Sequence, residues 1–373
     1  MADSTSQTKE NITGYVTAEQ RPFDQLACTD VDLLVFSAIT YFEFERFPRY
    51  GGSKATPLSD LAKYGKARSY VEHDCNPRGM LDLLLAVVAS NRFGDVELDS
   101  FRCILDDTRP VQFGAATYWL DDAHTQGVIA FRGTDTSLAG WYEDLLMMSE
   151  PAIEGEKEAL RYVEETVASH PRARFIVCGH SKGGTCAQYA CLFASAETAR
   201  AIDRGVSFDG PALTHATSRA CPDFRAYDED VEKRLAACPM PFKRYLFQAQ
   251  VGRMLETRPA SAFTCVANID PKLTHNVCSQ QVKDGAFVPW TPTAQEEHAG
   301  GAFTRLAQQL TRSQRRFAAD FVKAACADAD IVPDLGSEGS AKTASALKAR
   351  YRAGSFSERR QARKLLTAYL KAQ

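Results

Sequence analysis

Between Arg174 and Ser195 the chain reads RFIVCGHSKGGTCAQYACLFAS: a short apolar run, a turn of small residues around one serine, and a stretch of Gly, Ala, Thr and Cys. A five-residue apolar run of this kind is a strand buried on both faces, and the small-residue stretch after it has the composition of a helix that packs closely on a sheet. A strand feeding straight into a helix is half of a βαβ unit, so this segment predicts a parallel sheet covered by crossover helices. The turn itself, Gly179-His180-Ser181-Lys182-Gly183, fits G-x-S-x-G in the context that gives the pattern meaning. A serine hydroxyl reacts poorly unless a sharp turn thrusts it out of the sheet towards a base, and such a turn strains the serine backbone. Ser181 is therefore the candidate nucleophile, with a purely structural glycine-serine turn as the alternative. The helix amino terminus would direct N–H groups and partial positive charge at an anion formed during attack, with Lys182 contributing its backbone N–H. His180 flanks the serine and points away from its hydroxyl, which suits a structural hydrogen-bonding group better than a base.

The remaining periodicities extend this frame. Asp30 is placed to cap a helix through VDLLVFSAITYFEFERF, LSDLAKYGKA alternates polar and apolar residues, and NPRGMLDLLLAVVASNRF reads as a helix with Pro77 in its first turn. FRCILDD, VQFGAATYWLDD and QGVIAFRG are short β-rich runs parted by turns, and LAGWYEDLLMM and EGEKEALRYVEETVASH return to helical spacing. VSFDG, KRYLFQ and FTCVA are later strands, separated by an insertion near 211–242 that holds a helix around DEDVEKRLAAC. The chain turns helical again through FTRLAQQLTRSQRRFAADFVKAACA. The expected organisation is a flexible lead over residues 1–20, an α/β domain over 21–330, and a basic helical tail over 331–373.

Composition narrows the function classes. With 44 Lys plus Arg against 47 Asp plus Glu, the net charge of −3 supplies no general basic field for nucleic acid. Only the tail departs from this balance: Lys342 to Gln373 carries nine basic residues and the single acid Glu358. A solvated helix face is the favoured account of that run, and a weak membrane-surface contact is the alternative. No apolar run reaches about 18 residues and the start, MADSTSQTKENITGY, is polar, so a spanning helix and a secretory leader are not expected and the protein is read as cytoplasmic. Eleven cysteines, an odd number, several inside apolar stretches, read as mostly reduced and buried thiols; no C-x-x-C pair or H-E-x-x-H occurs, and no metal or cofactor is expected.

Stabilising a tetrahedral intermediate takes a second donor from another segment. GVIAFRGTDTSLAGWYEDL supplies a strand ending at Phe131 and a turn at Gly133, where Thr134 offers N–H and hydroxyl; Arg132 with Asp144 would pin the turn and Trp141 would be buried on the sheet. A plain strand-to-helix turn is the alternative. The combination of Arg132-Gly133-Thr134-Asp135, Gly140 to Asp144 and Gly179 to Gly184 resembles the class 3 (fungal-type) lipases of the α/β hydrolase superfamily. It resembles more closely a bacterial lipase-like family of uncharacterised substrate, whose pattern reads RGTD, GWxED, GHSKGG. The likeness extends to VDLLVFSAITYFEFE, QFGAATYWL, FDGPAL and a segment around His275, covering most of residues 10 to 330. It implies an α/β-hydrolase fold, a mostly parallel central sheet flanked by helices with helical amino- and carboxy-terminal additions, and a catalytic serine.

In that superfamily the order is serine, acid, histidine, so the base lies beyond Ser181. His215 comes too soon and His298 sits in a polar stretch entering a helix, whereas His275 follows the FTCVANID strand on a loop and is the candidate base. The class 3 acid follows the strand corresponding to KRYLFQ, but here that place reads Gln248-Ala249-Gln250-Val251-Gly252. Asp209, at the end of the preceding strand, is the available carboxylate, with a turn-forming Asp as the alternative; Asp270 is a weaker candidate, and a dyad oriented by Gln or a backbone carbonyl stays open. The expectation is a serine hydrolase of an ester or thioester, with a small acyl ester or lipid as substrate: Ser181 attacks, His275 moves the proton, Asp209 orients it, and Thr134 and Lys182 hold the oxyanion. The rival is an inactive hydrolase-fold scaffold or regulatory binding protein.

Overall fold

The computed structural model describes residues 10–44, 55–63, 79–333 and 339–372. Pro77 and part of LSDLAKYGKA lie outside the described residues. In chain order the elements are α1 (Ile12–Ala18), α2 (Asp30–Ile39), β1 (Thr56–Pro57), α3 (Met80–Ala89), β2 (Glu97–Asp106), β3 (Val111–Trp119), β4 (Gln126–Phe131), α4 (Leu138–Leu146), α5 (Glu154–Ser169), β5 (Arg174–His180), α6 (Lys182–Phe193), α7 (Ala196–Ala201), β6 (Ile202–Phe208), α8 (Arg225–Ala237), β7 (Phe242–Leu246) and β8 (Thr264–Cys265). A two-strand ribbon, β9 (Val282–Lys283) with β10 (Ala286–Phe287), and helices α9 (Ala294–Gly300), α10 (Ala302–Gln308), α11 (Arg312–Asp328), α12 (Gly339–Ala353) and α13 (Phe356–Ala372) follow.

The eight strands of the central sheet lie in sequence order, antiparallel from β1 to β4 and parallel from β4 to β8. This is the mostly parallel α/β-hydrolase sheet expected. Side-chain alternation divides the core in two. Val128 and Ala130 of β4 and Cys178 of β5 face a layer built from α1, α2 and α3, while Ile129, Phe131, Phe175 and Val177 face α5 and α6. Burial on both faces explains why β3 and β4 read as continuous apolar runs.

Three local expectations change. Ile12–Ala18, inside the lead read as flexible, is a helix capped by Asn11, because Ile12, Tyr15 and Val16 form an apolar stripe that is buried in the first core layer. The cap of α2 is Thr29 rather than Asp30: Thr29 and Asp32 form a capping box, in which the side chain three residues on accepts from the cap's own N–H. The same Asp32 meets Arg92 at 2.6 Å with neither side chain exposed, joining α2 to the segment after α3. FTCVA shortens to the two-residue β8, since from Val266 the chain turns to antiparallel bridges with Pro289 and Gln280 before the loop that carries His275.

Candidate active site

The elbow forms where β5 leaves the sheet. Ser181 takes φ 57° and ψ −130°, a conformation that costs an L-residue on the order of 1–3 kcal/mol and that the surrounding packing must hold. Its N–H donates to Phe208 O at 2.9 Å, tying the turn to the end of β6. Two glycines let the end of β4 approach. A Cβ at Gly133 would fall 2.8 Å from Ser181 Cβ, and one at Gly183 would meet the carbonyls of Phe131 and Arg132.

Three predicted residues come together here. His275 Nε2 lies 3.0 Å from Ser181 Oγ, and His275 Nδ1 lies 2.8 Å from Asp209 Oδ2. A carboxylate only accepts, so the proton of the ring sits on Nδ1 and the serine hydroxyl donates to Nε2. Asp209 is fully buried, at φ 50°, and its other oxygen accepts from Gly252 N–H at 2.9 Å and Phe247 N–H at 3.2 Å. In the loop after KRYLFQ, where the class 3 acid would stand, Gly252 offers its N–H to Asp209, joined by the N–H of Phe247 from within KRYLFQ. Arg244 braces the same place, its Nη2 donating to Gly210 O and Gly252 O at 3.1 and 2.9 Å while Nη1 pairs with Glu256 at 2.6 Å.

His275 is held through its backbone. Asn268 donates to Leu273 O and Thr274 O, both at 3.2 Å, and His180 Nε2 donates to His275 O at 3.1 Å. Since that carbonyl only accepts, His180 Nδ1 is the acceptor for the Tyr41 hydroxyl at 2.9 Å. Burial, followed by the neighbouring His275, pushes the His180 imidazole well below its ordinary range, so it stays neutral in this role. The other candidates stand elsewhere. His215 is buried between Asp228 and Glu150 O and stacks on Phe224, His298 is exposed on α9, Asp270 accepts from Lys272 N–H, and Gln248 engages Asn268.

Gly133, one residue before Thr134, stands against Ser181, and Lys182 follows the serine in sequence; the Thr134 and Lys182 side chains are committed in ways the sequence did not indicate. The Thr134 hydroxyl donates to Asp144 at 2.7 Å, so that side chain secures the turn to α4. Arg132 pairs with Asp135 at 3.1 Å instead of Asp144, because the turn folds Asp135 back over the guanidinium, and Trp141 is half-buried instead of sealed against the sheet. The Lys182 side chain runs into the protein, its ammonium 2.9 Å from Glu143 and 2.8 Å from Gln112 O. Glu143 also accepts from Gln112 N–H at 3.0 Å and from Gly155 N–H at 2.5 Å, so one carboxylate joins β3, α5 and the elbow helix. Nothing in the spacing singles out Glu143, because a lysine at a helix start can also reach water; the fold buries this one and so requires a carboxylate beside it.

Three carboxyl groups surround this one ammonium. Burial works against the Lys182 charge, yet Glu143 and Asp144 outweigh it and hold the group above its ordinary range. Burial pushes Asp144 up to about 6 against the pull of Lys182 and Thr134, and pushes Glu156 up to about 8 against the Ile153 N–H. A carboxyl whose folded pKa is raised stabilises the fold fully below its ordinary value and loses that contribution as pH rises through the folded value. For Glu156 the window runs from 4.5 to about 8. Glu156→Gln is therefore expected to gain stability relative to the native chain, by on the order of a few kcal/mol, between pH 5 and pH 8, read by urea unfolding at both values. A constant difference between the two would show that Glu156 does not titrate there.

The Mbeg1-like family model matches residues 87–322. A search of the curated proteins finds no match. Among solved structures the chain is similar to the Rhizomucor miehei lipase in its propeptide complex, at 15% identity over 69% of this chain and 71% of that one with a TM-score of 0.36. It is also similar to lipase II from Rhizopus niveus, at 19% identity over 65% and 88% of the two chains with a TM-score of 0.30.

Proposed function

The chain belongs to the Mbeg1-like family, and from the constellation around Ser181 we propose that it is a serine hydrolase of carboxylic esters or thioesters, of the lipase or esterase kind. The observation that carries this reading is the unbroken line of contacts from Ser181 Oγ through His275 to Asp209, at 3.0 and 2.8 Å, on a strained turn at a helix amino terminus.

The steps follow from the protons already in place. Ser181 Oγ attacks the acyl carbon as its proton passes to His275 Nε2, and the carbonyl π pair moves onto oxygen. The N–H groups of Lys182 and Thr134 receive that oxyanion, aided by the partial positive charge at the start of α6. Asp209, fixed by Gly252 and Phe247, stabilises the imidazolium and keeps Nδ1 protonated. The oxyanion pair reforms the carbonyl, the bond to the leaving alkoxide or thiolate breaks, and Nε2 returns its proton to that group. Water then repeats the sequence on the acyl-enzyme, its proton going to Nε2 and on to Ser181 Oγ as the acid departs. The scaffold reading drew its support from the missing acid after KRYLFQ, and Asp209 on His275 takes that support away.

The test is a fluorophosphonate probe on the folded native chain, followed by peptide mapping, with p-nitrophenyl esters of increasing acyl length assayed in parallel. A single adduct on Ser181 and ester hydrolysis above the buffer rate are expected. Folded protein that neither takes the label nor hydrolyses any ester of the panel would overturn the proposal.

A further inference from the structure

Helix α13 turns its apolar side chains the wrong way for a water-soluble helix. Among the described residues, large hydrophobic side chains left to solvent concentrate on it: Phe356 is 83% exposed, Leu370 66% and Leu366 58%. The side that touches the protein is narrow and small, through Ala368 and Ala372. The helix is nonetheless anchored. Arg305 Nε donates to Ala372 O at 2.9 Å, Arg363 Nε donates to the Tyr351 hydroxyl of α12 at 2.6 Å, and Glu358, its single acid, is engaged by Arg350 at 2.9 Å.

At about 100° per residue, Phe356, Leu366 and Leu370 fall on the outward stripe, together with Arg359 and Arg363. Arg360, Lys364 and Lys371 stand beside it, along a groove of about 890 Å³ whose other wall is Gln309 and Gln314 and whose lining contains no carboxylate. A helix that only needs solubility points its charges outward and its leucines inward. Here both point outward, on a chain whose overall charge is −3.

We infer that this face of α13 is a docking surface for an anionic lipid bilayer. Anionic headgroups satisfy the cations, and the boundary between headgroup and acyl chain takes Phe356, Leu366 and Leu370. Nucleic acid would use the cations and leave those three side chains in water. A second copy of the chain would bring five cations of one helix against five of another. The inference goes beyond the hydrolase reading and does not depend on Ser181.

The test uses the full chain and sedimenting vesicles of ether-linked phospholipids, which have no acyl ester to cleave. The vesicles are phosphatidylcholine alone, or phosphatidylcholine with roughly one-third phosphatidylglycerol. Binding to the anionic vesicles only is expected, weakening as ionic strength is raised from about 0.05 to about 0.5 M. Each basic residue near such a surface is worth about fivefold, so the triple variant Arg360→Gln, Lys364→Gln, Lys371→Gln should bind about a hundredfold more weakly. Leu366→Asp with Leu370→Asp should abolish binding, with circular dichroism and melting unchanged because both residues are exposed. Equal binding to neutral vesicles, no binding to anionic ones, or binding that survives both variants would overturn the inference. So would a dimer in sedimentation velocity that the leucine variants dissociate, or duplex nucleic acid binding that only the charge variants remove.

Discussion

Asp209→Asn is expected to lower kcat for ester hydrolysis about ten-thousandfold, nearly as far as Ser181→Ala, while Asp270→Asn leaves it unchanged. The reason lies in the carboxylate's other oxygen. Oδ1 accepts two backbone N–H groups, from Gly252 and Phe247, so an asparagine must place its carbonyl oxygen there. Its amide then faces His275 Nδ1 and donates to it, which moves the ring proton to Nε2, where it blocks the transfer from Ser181 Oγ. Fluorophosphonate labelling should slow in proportion, since it uses the same proton transfer. Turnover within tenfold of the native chain in Asp209→Asn would place the orienting acid elsewhere.

The second large effect is on stability. Glu143→Gln is expected to cost about 3–5 kcal/mol in urea unfolding, because it leaves the Lys182 ammonium, 2% exposed, without its ion-pair partner. Lys182→Met should cost a similar amount by leaving Glu143 buried among Asp144 and Glu156. The double variant Glu143→Gln with Lys182→Met should recover much of the loss, since an unpaired buried charge is worse than none. Single variants that cost less than about 1 kcal/mol, or a double variant whose cost is the sum of both, would show that the pair does not carry the elbow. Both singles are also expected to weaken hydrolysis, because the proposed mechanism gives the same lysine's backbone N–H to the oxyanion.

The two segments nearest the serine were readable because their chemistry is contiguous. The strand, turn and helix around Ser181 follow one another within about 20 residues, and backbone spacing alone decides where the hydroxyl goes. The turn at Gly133 was readable for the same reason. Asp209 was readable only as one candidate carboxylate among several, because which of them meets His275 depends on which strand end stands over that ring. Asp209 N–H donates to Tyr245 O at 2.9 Å, and this pairing of β6 with β7 brings the loop from Phe247 to Gly252 across Asp209. The glutamine-containing loop thus gives Asp209 the Gly252 N–H where an acid was looked for, and a backbone donor is not announced by residue type.

The amino-acid sequence by itself determined the sheet, its crossover helices and the serine at the tip of β5, because each follows from local periodicity and from turns that few residues allow. Tertiary structure decided the partner of His275, the carboxylate beneath Lys182, the use of His180 as a prop for the histidine loop, and the outward turn of the leucines on α13. These rest on contacts between residues tens to hundreds of positions apart. In each case a buried polar group or an exposed apolar one takes its meaning from what the fold places beside it, and that neighbour is set by strand register and helix docking.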